Sequence, residues 1–372
     1  MKTAVQQRRN RFLLALALVA APALAVDPVV TGPAPVGTVQ VVRPKSITVQ
    51  RAKNPSMAPV KGKILSVHSP FETGDCSLCH EHKSAKNPGK VIIPGDAGCY
   101  VCHEDFLDMT KRRFQHAPDK IACMTCHNPH NANQKALLTS ATPQLCLDCH
   151  TGIGQWMSQR VQHGSLTEGA NCMNCHNAHA SNVENLLKRL PFDLCVNCHS
   201  RDDIVDHNGV KITNIKALLE QNKVHHGPVA QKDCSACHLP HGSNVFRLLA
   251  APYPSTFYAP FDPKTYEMCF GCHDETLVTI ERTTTATRFR DGDRNLHFLH
   301  VNKPDRGRTC RACHEVHASQ RTYQIRESVP YGSKGYLLKV NFEKRPDGGN
   351  CTQTCHTARS YTNAAAPQAK AK

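Results

Sequence analysis

Twenty cysteines in this 372-residue chain fall into one repeated pattern, and the pattern dictates what chemistry they can do. Nine copies of C-x-x-C-H are present: Cys76-Cys79-His80, Cys99-Cys102-His103, Cys123-Cys126-His127, Cys146-Cys149-His150, Cys172-Cys175-His176, Cys195-Cys198-His199, Cys234-Cys237-His238, Cys269-Cys272-His273 and Cys310-Cys313-His314. A tenth copy is stretched by one residue, Cys351-Cys355-His356, and with it every cysteine is used. Two thiols one turn apart can bond the two vinyl groups on one edge of a porphyrin, and the adjacent imidazole then meets the iron from one face. Paired cysteines also suit structural zinc, or oxidise to disulfides in an export compartment. Neither use needs a histidine directly after the second cysteine, yet that histidine is present ten times in ten. The motifs therefore read as covalent attachment sites for ten haem c groups, with the ten motif histidines as proximal iron ligands. The longer loop at Cys351 still permits attachment and would equally hold a disulfide.

The elements that must position these groups repeat as well. The motifs fall into five doubled units, 23 residues apart in the first three and 35 and 41 in the last two. Insertions of this kind map to loops on a constant scaffold. Each unit carries a histidine 7 to 10 residues before its first motif: His68, His116, His163, His225 or His226, and His300. Each carries another just after that motif: His82, His130, His179, His241 and His317. Counting one of His225 and His226, these are ten candidate distal ligands for ten irons, with His207, His297 and one of that pair left over. A histidine three residues past the motif histidine lies on the same side of a helix, so it cannot reach round the ring to the far face of its own haem. The simplest expectation is that it ligates the second haem of its own unit while the upstream histidine caps the first. His82 follows His80 by two residues rather than three and departs from the rule.

The N-terminus has a basic stretch (Lys2, Arg8, Arg9, Arg11), an apolar run from Phe12 to Ala20 and the small-residue pattern Ala23-Leu24-Ala25. That is the form of a secretory signal peptide over residues 1–25. No later run approaches about 20 apolar residues, and no cysteine near residue 25 is available for acylation, so membrane association is expected only through partners. The formal charge of +15 falls to +11 without the leader. Ten haems would add roughly −20 from propionates and +10 from ferric irons, so the basic excess reads as compensation for cofactor charge rather than as a nucleic-acid surface. One Trp, eight Tyr and twelve Phe are few large apolar side chains for a core of this size, which porphyrins would fill. Residues 26–66 read as an extended arm. Dihaem repeats are expected at 67–112, 113–160, 161–222, 223–295 and 296–360, and a disordered tail at 361–372. A short helix is expected over Asn214 to Lys223, in a fold of coil and brief helices wrapped on a haem stack, elongated, with little or no β structure.

The strings CMTCHNPHNANQKALL…LCLDCH, CMNCHNAHASNVENLL…LCVNCH and CSACHLPHGSNVFRLL…MCFGCH resemble the doubled CxxCH domain of multihaem c-type cytochromes. Ten motifs on one exported chain resemble the periplasmic decahaem cytochromes of outer-membrane porin–cytochrome conduits, the Mtr type. The resemblance implies an electron-transfer protein, not an enzyme, held in the periplasm at the outer membrane. It also implies a β-barrel porin, an outward-facing multihaem cytochrome and periplasmic or inner-membrane redox donors as partners. A periplasmic shuttle and an extracellular filament subunit are the alternatives. A multihaem reductase fits less well, since an enzyme needs an iron with an open position and the distal ligands are not short in number.

Overall fold

The computed structural model describes residues 57–84, 86–116, 121–206, 208–332, 335–352 and 355–364, all within one compact unit (Val36–Lys372). The leader, the first part of the arm, His207 and the last eight residues lie outside them. The described chain is mostly coil with few and short helices and small sheets.

The first motif of each unit sits on a 3₁₀ turn (Cys76–Leu78, Cys123–Thr125, Asn171–Asn174, Cys234–Ala236, Cys310–Ala312). The second sits on a short α-helix in four units (Ala97–Tyr100, Gln144–Leu147, Pro191–Cys198, Glu267–Phe270). In all nine the histidine N–H donates to the first cysteine's carbonyl four residues back, at 2.9 to 3.1 Å. That single turn is what places the imidazole beside the thiols. The tenth motif is built differently, with Cys351 on the strand Gly348–Thr352 and Cys355 and His356 beyond it.

Two-residue strands tie each unit to the next. Ser66–Val67 pairs antiparallel with Asn131–Ala132, Phe114–Gln115 with Ala180–Ser181, and Val224–His225 with Ala318–Ser319. The fourth junction is a single bridge, Val161 to Ser243, with N–H···O contacts of 2.8 and 2.9 Å in both directions. There Gly242 is required, because a Cβ at that position would lie 2.0 Å from the Trp156 carbonyl.

The expectation of little or no β structure fails at the C-terminus. Ser328–Tyr331 and Tyr336–Lys339 form a hairpin, and Asn341–Arg345, Gly348–Thr352 and Arg359–Thr362 form a three-stranded antiparallel sheet. The last strand runs through the expected end of the fifth repeat at 360. The expected helix is present as Ile215–Gln221, with Asn214 accepting from the Ala217 N–H as its cap. Among the described residues a cluster of buried apolar side chains forms around Tyr253, Tyr266 and Val278 of the lengthened fourth unit, with Val301 from the fifth. Beside them Asn295, 0 % exposed, caps the helix Leu296–Val301. Its side-chain amide donates to the Leu277 and Ile280 carbonyls at 3.0 and 2.8 Å, and its oxygen accepts from the His297 and Phe298 N–H groups.

Candidate haem-binding sites

Among the described residues nine imidazole pairs face one another. His80 stands opposite His130, His103 opposite His68, His127 opposite His179, His150 opposite His116 and His176 opposite His241. His199 faces His163, His238 faces His317, His273 faces His226 and His314 faces His297. Their centroids are 6.0 to 6.4 Å apart and their planes within 7 to 23° of parallel. Every pair joins one motif histidine to one histidine from outside the motifs. With metal–imidazole bonds of about 2 Å, such a spacing is what a six-coordinate iron between two rings needs.

The rule behind the pairing differs from the sequence expectation. The upstream histidine faces the second motif of its own unit, not the first. The post-motif histidine crosses to the first motif of the preceding unit, so His130 faces His80 rather than His150. The physical cause is the inter-unit pairing: the His68 N–H donates to the His130 carbonyl at 2.9 Å, His116 to His179 at 2.9 Å and His226 to His317 at 3.1 Å. Side chains leaving those strands are carried together to two different motif histidines.

His82 has no earlier unit to serve. It is exposed in a left-handed backbone conformation (φ 47°), and among the described residues no imidazole faces it. His225 is also set aside, because its Nε2 lies 3.0 and 2.8 Å from the Leu219 and Asn222 carbonyls, leaving His226 to face His273. In the fifth unit His297, a leftover in the sequence, takes the place opposite His314. His300, one turn along the same helix, packs on Phe289 with its Nδ1 at 2.6 Å from the Leu296 carbonyl. Burial depresses its pKa, and the charge of His356 is among the nearby charges that add to this.

The other ring nitrogen is committed. In all five first motifs Nδ1 meets a backbone carbonyl nine residues on: His80 to Gly89, His127 to Ala136, His176 to Asn185, His238 to Arg247 and His314 to Tyr323, at 2.8 to 3.0 Å. In the last four units this carbonyl is aimed by two consecutive left-handed residues, as at Ala136 (φ 56°) and Leu137 (φ 56°). Such a residue costs roughly 1–2 kcal/mol, strain that recurs only because it orients a ligand. In the sequence this loop shows as a recurring Leu-Leu pair, at Leu137 and Leu138, Leu186 and Leu187, and Leu248 and Leu249. Among the distal rings, His68 Nδ1 meets the Pro129 carbonyl and His130 Nδ1 the Met57 carbonyl, both at 2.8 Å. With Nδ1 held, Nε2 is presented to a metal. At His238, His241 and His297 burial favours the neutral, ligating form: His238 and His241 are brought down to about 4 and His297 to about 3, with the facing histidine the next cause in each.

Neighbouring attachment sites abut. The first cysteine of a second motif is in hydrogen-bonding contact with the first cysteine of the next unit, at Cys99 and Cys123, Cys146 and Cys172, Cys195 and Cys234, and Cys269 and Cys310. Buried guanidinium Nε atoms of Arg290, Arg308, Arg311 and Arg326 have no acceptor among the described residues. Haem propionates are anions of the kind such groups take, so the residues present fit the cofactor from both its iron and its carboxylate side. One carboxylate is held among these groups. Although burial alone would raise its pKa, contact with His317 and the charge of Arg326 bring Glu315 down to about 2.

The comparisons agree with this geometry. A family model described as the doubled CXXCH motif matches residues 68–107, 116–155, 163–204 and 226–277. Cys310 to His314 lies outside those matches but repeats their loop, down to the His314 contact with Tyr323. The chain is 26% identical over 117 residues to the multiheme cytochrome MtrA of Shewanella baltica (strain OS185), an overlap of 28% of this chain and 35% of that protein. The match thus spans about a third of that relative's length. Repeated attachment motifs and paired imidazoles together place the chain among the multihaem c-type cytochromes built from doubled CXXCH domains, proteins of electron transfer.

Proposed function

We propose that this protein is a decahaem electron conduit, bis-histidine at every iron, working across the outer membrane inside a β-barrel porin. The observation that carries the reading is the set of nine facing histidine pairs. On this reading they are proximal and distal ligands, and His300 is the distal ligand to the stretched motif at His356. Haem supplies a one-electron couple whose potential the protein sets through ligands, hydrogen bonds and burial. The chain's own contribution is to clamp each iron from both faces, which leaves no position for a substrate and favours relay over catalysis. Its second contribution is to bring the first cysteine of a second motif against the first cysteine of the next unit at four junctions, which would hold the two haems attached there close together.

The conduit role draws on the resemblance to the Mtr type. Among the described residues no helix is long and apolar enough to cross a membrane. Electrons would have to pass about 30 Å of hydrocarbon, and a closed barrel is the structure able to line a wide polar passage there. Intact mass of the denatured holoprotein should fit ten haems, and nine would remove the site at Cys351 and Cys355. Affinity purification from solubilised outer membranes should recover a large porin in fixed ratio, with an outward-facing cytochrome. Recovery from the soluble periplasm alone would replace the conduit by a shuttle, and recovery from sheared extracellular material by a filament.

A further inference from the structure

The residue directly after the first motif histidine is Glu81, Asn128, Asn177, Leu239 and Glu315 in the five units. Only in the fifth does it put a charge on a facing imidazole. Glu315 Oε1 lies 3.6 Å from Nδ1 of His317, the ring opposite His238. Its other oxygen is paired with the Arg326 guanidinium, and both partners are largely buried, at 21 % and 11 % side-chain exposure. In the first unit Glu81 turns instead to Lys83 at the surface, 3.5 Å away. Elsewhere the Nδ1 partners of distal rings are neutral: carbonyls of Pro129, Met57 and Leu296, and hydroxyls of Ser165 and Thr287. Among the described residues His317 is the one facing imidazole with a carboxylate at ion-pair distance.

We propose that Glu315 is a positioning residue that makes the His238–His317 site a low-potential step in the relay. A carboxylate at Nδ1 increases the basicity of a ligating imidazole, and a more basic ligand with a negative charge behind it favours the ferric state. Burial strengthens the effect, because little water screens a charge at this depth. Arg326 holds the carboxylate in place, so the side chain cannot swing out to solvent. Since His317 belongs to the fifth unit and His238 to the fourth, the step falls at the junction between them. Electrons crossing that junction would rest on either side of it rather than on it.

The inference rests on the ligation proposed above, and the experiment separates the two. Potentiometric titration of the holoprotein, with electron paramagnetic resonance to count high-spin haems, is run on the native chain and on Glu315→Gln, Glu315→Asp, Glu81→Gln and His317→Ala. In Glu315→Gln one electron's share of the curve should move to higher potential by about tenfold in ferrous-to-ferric ratio, ~59 mV, with all haems still low-spin. Glu315→Asp should restore part of the shift and Glu81→Gln should leave the curve in place. An unmoved curve in Glu315→Gln, or an equal movement in Glu81→Gln, overturns the proposal. His317→Ala should create one high-spin haem. If it creates none, the pairing of His238 with His317 fails, whatever Glu315 does.

Discussion

His297 faces His314 across 6.4 Å from within the same unit, whereas every other first-motif histidine faces a ring supplied by the unit that follows. Its neighbour one turn on, His300, is left for the stretched motif. His297→Ala should therefore convert the haem of Cys310 and Cys313 to high spin, and His300→Ala that of Cys351 and Cys355. Electron paramagnetic resonance of the oxidised protein should show one high-spin haem in each variant and two in the double variant. A low-spin His297→Ala protein would remove His297 from the ligand set.

Crossed ligation between units has its own signature. His130→Ala should unseat the haem of Cys76 and Cys79, although His130 lies just past the motif of the second unit. Removing the haem site of the first unit as well, with Cys76→Ala and Cys79→Ala, should abolish the new high-spin signal. Removing Cys146 and Cys149 instead should leave it, because His150 is faced by His116.

Asn295 carries the helix that bears both His297 and His300, through four hydrogen bonds from a fully buried side chain. Asn295→Ala loses the cap and leaves the Leu277 and Ile280 carbonyls without that donor, a destabilisation of about 2–3 kcal/mol. The expected outcome is a lower midpoint in thermal unfolding of the fifth unit, together with partial high-spin character at two haems. Asn295→Asp should retain the cap to His297 and lose the two donations.

The Glu315 contact sets a pH window. Its carboxyl is held down to about 2 in the fold against an ordinary value of 4.5, so between those values the unfolded chain binds the extra proton and stability rises with pH. The contribution is complete above about pH 4.5 and is lost as pH falls toward 2. Unfolding of the holoprotein followed from pH 6 to pH 2, on the order of that range, should show an acid limb that Glu315→Gln flattens.

The attachment sites could be read directly from the sequence, because Cys76 to His80 and its eight regular copies are contiguous and one turn suffices to build each. Most of the imidazoles that face the motif histidines recur at fixed offsets, but His82 recurs there and among the described residues faces none, and His297, which faces His314, does not. Which iron each one faces was not legible: the choice is made by Ser66–Val67 meeting Asn131–Ala132, strands of two residues that leave no alternating pattern and lie more than 60 residues apart. The left-handed pair at Ala136 and Leu137 escapes for a similar reason, because neither residue type favours that conformation and only the fold imposes it. The C-terminal sheet escapes because in sequence Cys351 reads as one more attachment cysteine, whereas it is a strand residue between two partners.

Because His130, His179, His241 and His317 each reach back to an earlier unit, the proposed ligation makes assembly directional. As the chain emerges N-terminus first, the second site of a unit can be completed from within, but the first must wait for the following unit. A chain cut between units would end in one unfinished iron, open to stray ligands and to peroxide chemistry. In the fifth unit His297 faces His314 from within, so that site needs no later unit.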